Sequence, residues 1–229
     1  METVFSIGGV EVSSLPDVLP RGAIAGPWRV EDELGRGGMG SVYAVVHEEI
    51  GKRAALKVMH RHLVTVNSAE RILLEARVVN QVRHPNIVDI FETGTLTDGR
   101  PFIVMERLDG ISLAQRAANS KLLPDQVIAI LLHVCDALIA AHAKGVVHRD
   151  LKLDNVFLID NAELPDQPGV KLLDWGIAKV LSQDDVRHTI DGQLIGTPQY
   201  LSPEQARGGA VSAQTDVYSL GVMAYKLFL

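Results

Sequence analysis

A single cysteine, Cys135, occurs in 229 residues. No internal disulfide can form and no cysteine-based metal site can be built, which fits a reducing cytoplasm. Runs of lysine or arginine are absent and the formal charge is −6, so the chain offers no basic face to a nucleic-acid partner. No apolar stretch approaches the roughly eighteen residues of a membrane span, and Glu2 stands where a secretory signal needs positive charge. The expectation is a soluble chain without a membrane segment. Internal repeats and low-complexity blocks are also missing. Apolar residues, by contrast, make up 47%, ample for a buried core. At roughly 150 residues per domain the length allows one large domain or one domain in two lobes.

Residues 1 to about 25 mix Gly, Ser and Pro with isolated Val and Leu and keep no period, so they read as a flexible extension. From Trp28 to Val58 the composition turns β-branched: Val42 to Val46 and Arg53 to Met59 read as antiparallel strands around a turn at Gly51. Asn67 and Glu70 resemble a capping box, and Ile72, Leu73, Ala76, Val79 and Val82 carry a helical face up to the His84-Pro85 break. Strand patterns return at Ile87 to Phe91 and Phe102 to Met105. Pro124 suits the first turn of a helix with one apolar stripe at Val127, Leu131, Val134 and Leu138. A second stripe, Ile128, Leu132, Cys135 and Ile139, predicts a helix buried over much of its circumference, with Cys135 as packing. The segment Asp216 to Leu229 is almost wholly apolar and needs neighbours on all sides.

Gly35-Arg36-Gly37-Gly38-Met39-Gly40-Ser41-Val42 fits G-x-G-x-x-G-x-V, where missing side chains let backbone N–H groups approach phosphate oxygens. A dinucleotide site would need a helix straight after the glycines; the strand-like Ser41 to Val46 favours a loop between antiparallel strands. Taken alone, an ordinary glycine-rich hairpin fits as well. Lys57 lies inside the apolar strand Ala55-Leu56-Lys57, where a bare ammonium is costly unless an anion meets it. Glu70 has a capping task in an exposed turn, so mid-helix Glu75, beside Ala76, is the expected partner. A strand-edge lysine with its head in water is the alternative. His60-Arg61-His62 has no third ligand nearby and reads as a solvated turn.

His148-Arg149-Asp150-Leu151-Lys152-Leu153-Asp154-Asn155, then Asp174-Trp175-Gly176, then Ser202-Pro203-Glu204, resemble in order and type the signature set of the protein-kinase family. The resemblance runs from about Trp28 to Leu229. His84-Pro85-Asn86-Ile87-Val88 and Gly196 to Ala206 make it more narrowly similar to bacterial Ser/Thr kinases of the eukaryotic-like type. It implies a two-lobed α+β fold over residues 26–229. The N-lobe (26–106) would carry a five-stranded antiparallel sheet and one helix; the C-lobe (107–229) would lack the helices that follow the Asp216 helix.

The implied activity is phosphorylation of protein Ser or Thr hydroxyls with ATP and Mg²⁺, or Mn²⁺ in its place. Asp150 would accept the hydroxyl proton, Lys152 would offset charge on the moving phosphoryl, and Asn155 and Asp174 would hold the metal. Lys57, oriented by Glu75, would clasp the α/β-phosphates under Gly35, Gly37, Gly38 and Gly40. Adenine would lie between Val42, Ala55 and Phe157, with backbone bonds from Glu106 to Leu108 and Met105 as gatekeeper. Val79, Ile90, Trp175, His148 and Asp216 would stack as a regulatory spine. Arg149 would receive a phosphate on Thr189, the expected autophosphorylation site, with Ser182 a second hydroxyl candidate, and Thr197 marks the Ser/Thr branch. Trp175 replaces the usual Phe and Ser202 the usual Ala. Without the later helices, Glu204 loses its usual arginine and the Asp216 helix its cover; poor folding and self-association are the expected consequences. The competing class is a noncatalytic ATP-binding or interaction module.

Overall fold

The computed structural model describes residues 17–64, 66–160, 168–175 and 198–229, without the side chains of 66–68. The chain forms two compact units, one from Met1–Arg77 with Asp89–Arg107, the other from Val78–Val88 with Leu108–Leu229.

The first unit is a six-stranded antiparallel sheet with order β1-β2-β3-β4-β6-β5. Its strands are β1 (Ile24–Ala25), β2 (Trp28–Arg36), β3 (Gly40–His47), β4 (Arg53–Met59), β5 (Ile90–Thr95) and β6 (Pro101–Met105). Five strands were expected; the sixth is the two-residue edge strand β1, which pairs Ile24 with Arg29 and Ala25 with Trp28. Helix α1 (Val66–Val79) buries Ile72, Ala76 and Val79. Because α1 begins at Val66, Asn67 lies inside its first turn and is not the cap that the capping-box pattern suggested.

Register sorts the side chains of this sheet. Tyr43, Leu56 and Val104 are direct cross-strand neighbours, as are Val42, Lys57 and Ile103, and alternation puts the two sets on opposite faces. The Tyr43 face forms one apolar cluster with Val45, Val58, Phe102, Leu96 and Trp28. Leu19, Ala23 and Ala25 belong to that cluster and are buried. The segment read as a flexible extension is therefore packed from Asp17 onward. Leu19 donates its backbone N–H to the Tyr43 hydroxyl at 3.0 Å, and the buried Arg100 donates to the Asp17 carbonyl at 2.9 Å while pairing with Asp98 at 2.8 Å. Lone apolar residues without a period gave no sign of this, because the partner surface is supplied by distant strands.

The second unit holds a three-stranded antiparallel sheet of β7 (Gly110–Ser112), β8 (Val156–Ile159) and β9 (Gly169–Leu172). Its helices are α2 (Leu113–Asn119), α3 (Pro124–His142), α4 (Pro203–Ala206) and α5 (Ala213–Phe228). The strand expected over Ile87 to Phe91 starts only at Ile90, because the residues before it are drawn to β9: Val88 N–H bonds the Leu172 carbonyl and Leu172 N–H the Asn86 carbonyl.

Helix α3 has Pro at its start, as read, and buries Val127, Ile130, Val134, Ala137, Leu138 and Ala141. Its second stripe is not buried: Ile128, Leu132 and Ile139 are 51, 59 and 66% exposed. Only one face meets α5 and β9. Half-buried Cys135 has its thiol pushed up by burial, in keeping with packing. At 19 residues α3 is long and apolar enough to cross a membrane by composition, contrary to the sequence estimate; a single such helix is weak evidence, and this one packs within the unit. Helix α5 buries Thr215, Asp216, Ser219, Met223 and Leu227 and exposes Val217, Tyr218, Tyr225 and Phe228.

Candidate active site

In the first unit, β2 and β3 form a hairpin whose turn carries the glycines. Gly35 pairs with Val42 and Arg36 with Ser41, and Gly37 N–H bonds the Gly40 carbonyl at 2.9 Å. The strand after the glycines excludes the dinucleotide alternative. The four glycines have different reasons. A Cβ on Gly40 would sit 2.3 Å from the Val58 carbonyl oxygen, whereas at Gly35 and Gly38 it would meet nothing and at Gly37 only the Gly40 oxygen at 4.0 Å. Gly40 is thus required by β4, and the other three leave backbone bare that the fold itself does not need bare. Gly40→Ala is expected to cost about 1–3 kcal/mol in urea denaturation, while Gly37→Ala stays within about 0.5 kcal/mol.

Val42, Ala55, Lys57 and Met105 share the sheet face opposite the apolar cluster. Lys57, on the central strand β4, is 5% exposed, which rules out the water-facing alternative. Glu75 follows Ile72 by one turn and is half-buried, on the same side of α1 as the buried Ile72, Ala76 and Val79; Glu70 is exposed. Glu106 is held at the end of β6: its N–H bonds the Asp89 carbonyl at 2.9 Å and its carboxylate accepts Asp89 N–H at 2.8 Å. His60 Nε2 donates to the Gly37 carbonyl at 2.9 Å in an exposed bond, and Arg61 and His62 are exposed, in keeping with a solvated turn.

In the second unit, the segment from His148 to Asn155 is anchored by buried His148, Leu151 and Leu153, which leaves Asp150 and Lys152 between anchors. Lys152 Nζ donates to Asp150 Oδ2 at 2.8 Å. Asn155 Nδ2 donates to the Asp150 carbonyl at 2.8 Å and to Asp150 Oδ2 at 3.1 Å. Both amide hydrogens of Asn155 are thereby used, and its Oδ1 remains as a hard oxygen donor. Asn155 also accepts Leu173 N–H at 2.9 Å, which ties it to the residue before Asp174. Arg149 and Asp174 are the two described non-glycine residues at positive φ, +68° and +57°, a region such residues occupy only when the surroundings hold them. Phe157 lies half-buried on β8, paired with Ser112 and Lys171.

Asp216, fully buried on α5, is the central holder. Its carboxylate accepts the backbone N–H groups of His148 and Arg149, each at 2.8 Å, and the His142 ring N–H at 2.7 Å. The sequence reading placed Asp216 in the spine but missed His142, whose one signal is its place in the last turn of α3. His148 and Trp175 rings lie 4.7 Å apart, and His148 Nε2 donates to the Leu173 carbonyl at 3.0 Å. His148 Nδ1 and Trp175 Nε1 have no hydrogen-bond partner among the described residues.

Burial pushes the His148 imidazole below its usual range, against the opposing pull of Asp216, Asp150 and Asp174. A proton is therefore bound by the unfolded chain before the folded one, so His148 contributes stability above pH about 6.5 that is lost as pH falls. Denaturation between pH 8 and 5.5 should show a steeper loss for the natural chain than for His148→Phe; parallel slopes would contradict it.

Ser202 is fully buried as N-cap of α4, its Oγ accepting Gln205 N–H at 3.4 Å, which gives the serine a local reason. The sequence predicts a Glu204 without its partner, but Thr215 Oγ donates to it at 2.7 Å, and that bond holds its carboxyl below the usual range. Thr189, Thr197 and Ser182 lie outside the described residues.

Residues 28–229 match the family model described as protein kinase domain. The chain is 46% identical over 207 residues to the serine/threonine-protein kinase Pkn1 of Myxococcus xanthus, covering 90% of this chain and 29% of that protein. It is 39% identical over 209 residues to a probable serine/threonine-protein kinase of Corynebacterium efficiens, covering 89% and 31%. It thus spans less than a third of the length of these relatives. The solved kinase domain of Mycobacterium tuberculosis PknI is similar in fold, with a TM-score of 0.75 at 30% identity over 92% of this chain and 77% of that one.

Proposed function

The chain belongs to the protein kinase family, and from that we propose that it transfers the γ-phosphoryl group of ATP to Ser or Thr hydroxyls of proteins. The observation that carries this reading is the Asp150–Lys152–Asn155 cluster, a carboxylate, an ammonium and an amide within hydrogen-bond distance on backbone fixed by Asp216. Phosphoryl transfer asks little covalent chemistry of a protein and much positioning and charge neutralisation. This cluster supplies both.

Among the described residues the Asp150 carboxylate accepts hydrogen bonds only at Oδ2, so Oδ1 takes the proton of the attacking hydroxyl. As the hydroxyl oxygen bonds to the γ-phosphorus, the bond to the β-phosphate oxygen breaks and ADP leaves; Lys152 neutralises charge on the group in flight. Asn155 Oδ1 and the Asp174 carboxylate are oxygen donors of the kind that Mg²⁺, or Mn²⁺ in its place, prefers. The metal, when bound, neutralises the phosphates. Gly35, Gly37 and Gly38 leave backbone without side chains for them to approach, Lys57 is their cation, and Glu75 offers its carboxylate to Lys57. Val42, Ala55, Met105 and Phe157 receive the base. Since the Glu106 N–H is committed to Asp89, the Glu106 carbonyl and Leu108 serve the base edge. Arg149 receives a phosphate on Thr189, Thr197 marks the Ser/Thr branch, and Trp175 against His148 is a regulatory contact. ATP as co-substrate places the activity in the cytoplasm. Every residue type the reaction needs is present, and no observation favours a noncatalytic module.

Incubation of the chain and a Ser/Thr-containing protein with γ-labelled ATP tests the reading, with phosphoamino-acid analysis to identify the acceptor. Label confined to tyrosine, or none that depends on Asp150, would overturn it.

A further inference from the structure

Asp150 is oriented by the peptide groups on both sides of it. Asn155 holds the Asp150 carbonyl, and Asp216 holds the N–H groups of His148 and Arg149. A further group, the Arg149 carbonyl, lies in the peptide plane leading directly into Asp150. Gln205 on α4 holds it, its Nε2 donating at 2.8 Å. At its other end Gln205 Oε1 accepts the Ser202 N–H at 3.2 Å, closing the capping box of α4.

The side-chain amide therefore uses its donor on the catalytic segment and its acceptor on the start of a helix 56 residues further along. No other side chain of that length carries both functions. Glutamate keeps the acceptor but turns an oxygen toward the Arg149 carbonyl; methionine keeps the volume and neither bond. With Arg149 at φ +68°, loss of the donor frees a backbone that has reason to relax.

We infer that Gln205 is a positioning residue for phosphoryl transfer, locking the Arg149–Asp150 peptide plane to the N-terminus of α4. It acts through Asp150 and touches neither nucleotide nor acceptor. This rests on the proposed kinase reading for its kinetic part and not for its structural part.

The test compares Gln205→Met, Gln205→Glu and Ser202→Ala in the whole chain. Both Gln205 variants are expected to lose about 10–100-fold in kcat with the KM for ATP within about twofold. Ser202→Ala, which weakens the cap alone, is expected to lower the thermal midpoint and keep kcat. Folded Gln205→Met with the natural kcat, or an equal kcat loss in Ser202→Ala, would overturn the inference. If the natural chain transfers no phosphate, the function reading fails, and amide hydrogen exchange still decides the lock: faster exchange over 148–152 in Gln205→Met than in Ser202→Ala supports it, and equal exchange refutes it.

Discussion

Asp150→Asn is expected to lower phosphoryl transfer by about 10²–10⁴-fold and leave the KM for ATP within a few-fold. The substitution is close to isosteric, and an asparagine oxygen can still accept from Lys152 and Asn155, which bond the Asp150 carboxylate at 2.8 and 3.1 Å. What it cannot do is take the hydroxyl proton at neutral pH, since an amide is too weak a base. Folding and ATP binding are therefore preserved while chemistry fails, and the loss appears in kcat. Steady-state transfer with γ-labelled ATP, alongside a thermal melt matching the natural chain, measures this. Equal label in the two proteins would assign the activity elsewhere and revive the noncatalytic module.

Asp216→Ala is expected to destabilise the second unit by about 3–5 kcal/mol, the largest stability effect of any single change considered. Asp216 is fully buried and accepts three hydrogen bonds, two from consecutive backbone N–H groups and one from His142. Alanine leaves three donors without their acceptor, the His148 N–H buried and the Arg149 N–H and His142 ring partly buried, at about 1–3 kcal/mol for a fully buried one. His142→Ala removes one donor and keeps the carboxylate satisfied by the other two, so its cost should be near 1 kcal/mol. Urea denaturation of both variants gives the comparison; a shift below about 1 kcal/mol for Asp216→Ala would mean that the carboxylate is not what holds the His148–Arg149 backbone.

Much of the site was legible because its residues are close in sequence and their chemistry is restrictive. Asp150, Lys152 and Asn155 fall within six positions, and a short segment with two buried leucines between polar residues can turn only a few ways. Lys57 was legible for another reason, since an ammonium in an apolar strand demands an explanation. Glu75 was chosen over Glu70 because Glu70 was given a capping task in an exposed turn and Glu75 stands beside Ala76 on the apolar face; Glu70 is exposed and Glu75 half-buried. Gln205 and His142 were not legible. Each bonds a partner 56 or 74 residues away, and a polar residue in a short helix or a last turn has no local pattern that distinguishes a long-range bond from solvation.

The outer stripe of α3 shows the opposite failure. Periodicity reports which residues could be buried and is silent on how many neighbours the fold supplies, so Ile128, Leu132 and Ile139 read as core and are exposed. The segment from Asp17 to Ala25 errs in the other direction: it has no period of its own because it packs on a face built by β2, β3, β4 and β6.

By itself the sequence pointed to the proposed class of chemistry, because phosphate, metal and proton each require particular functional groups and the chain has them in a fixed order. It also determined β3, β4 and β6 of the first sheet, through runs of β-branched and apolar residues, while β1 and the start of β5 escaped it. Tertiary structure alone decided how Arg149 and Asp174 are held in left-handed backbone, which carbonyl Gln205 grips, and which apolar faces are covered. Those outcomes depend on distances between residues far apart in the chain, and such distances exist only once the backbone has closed.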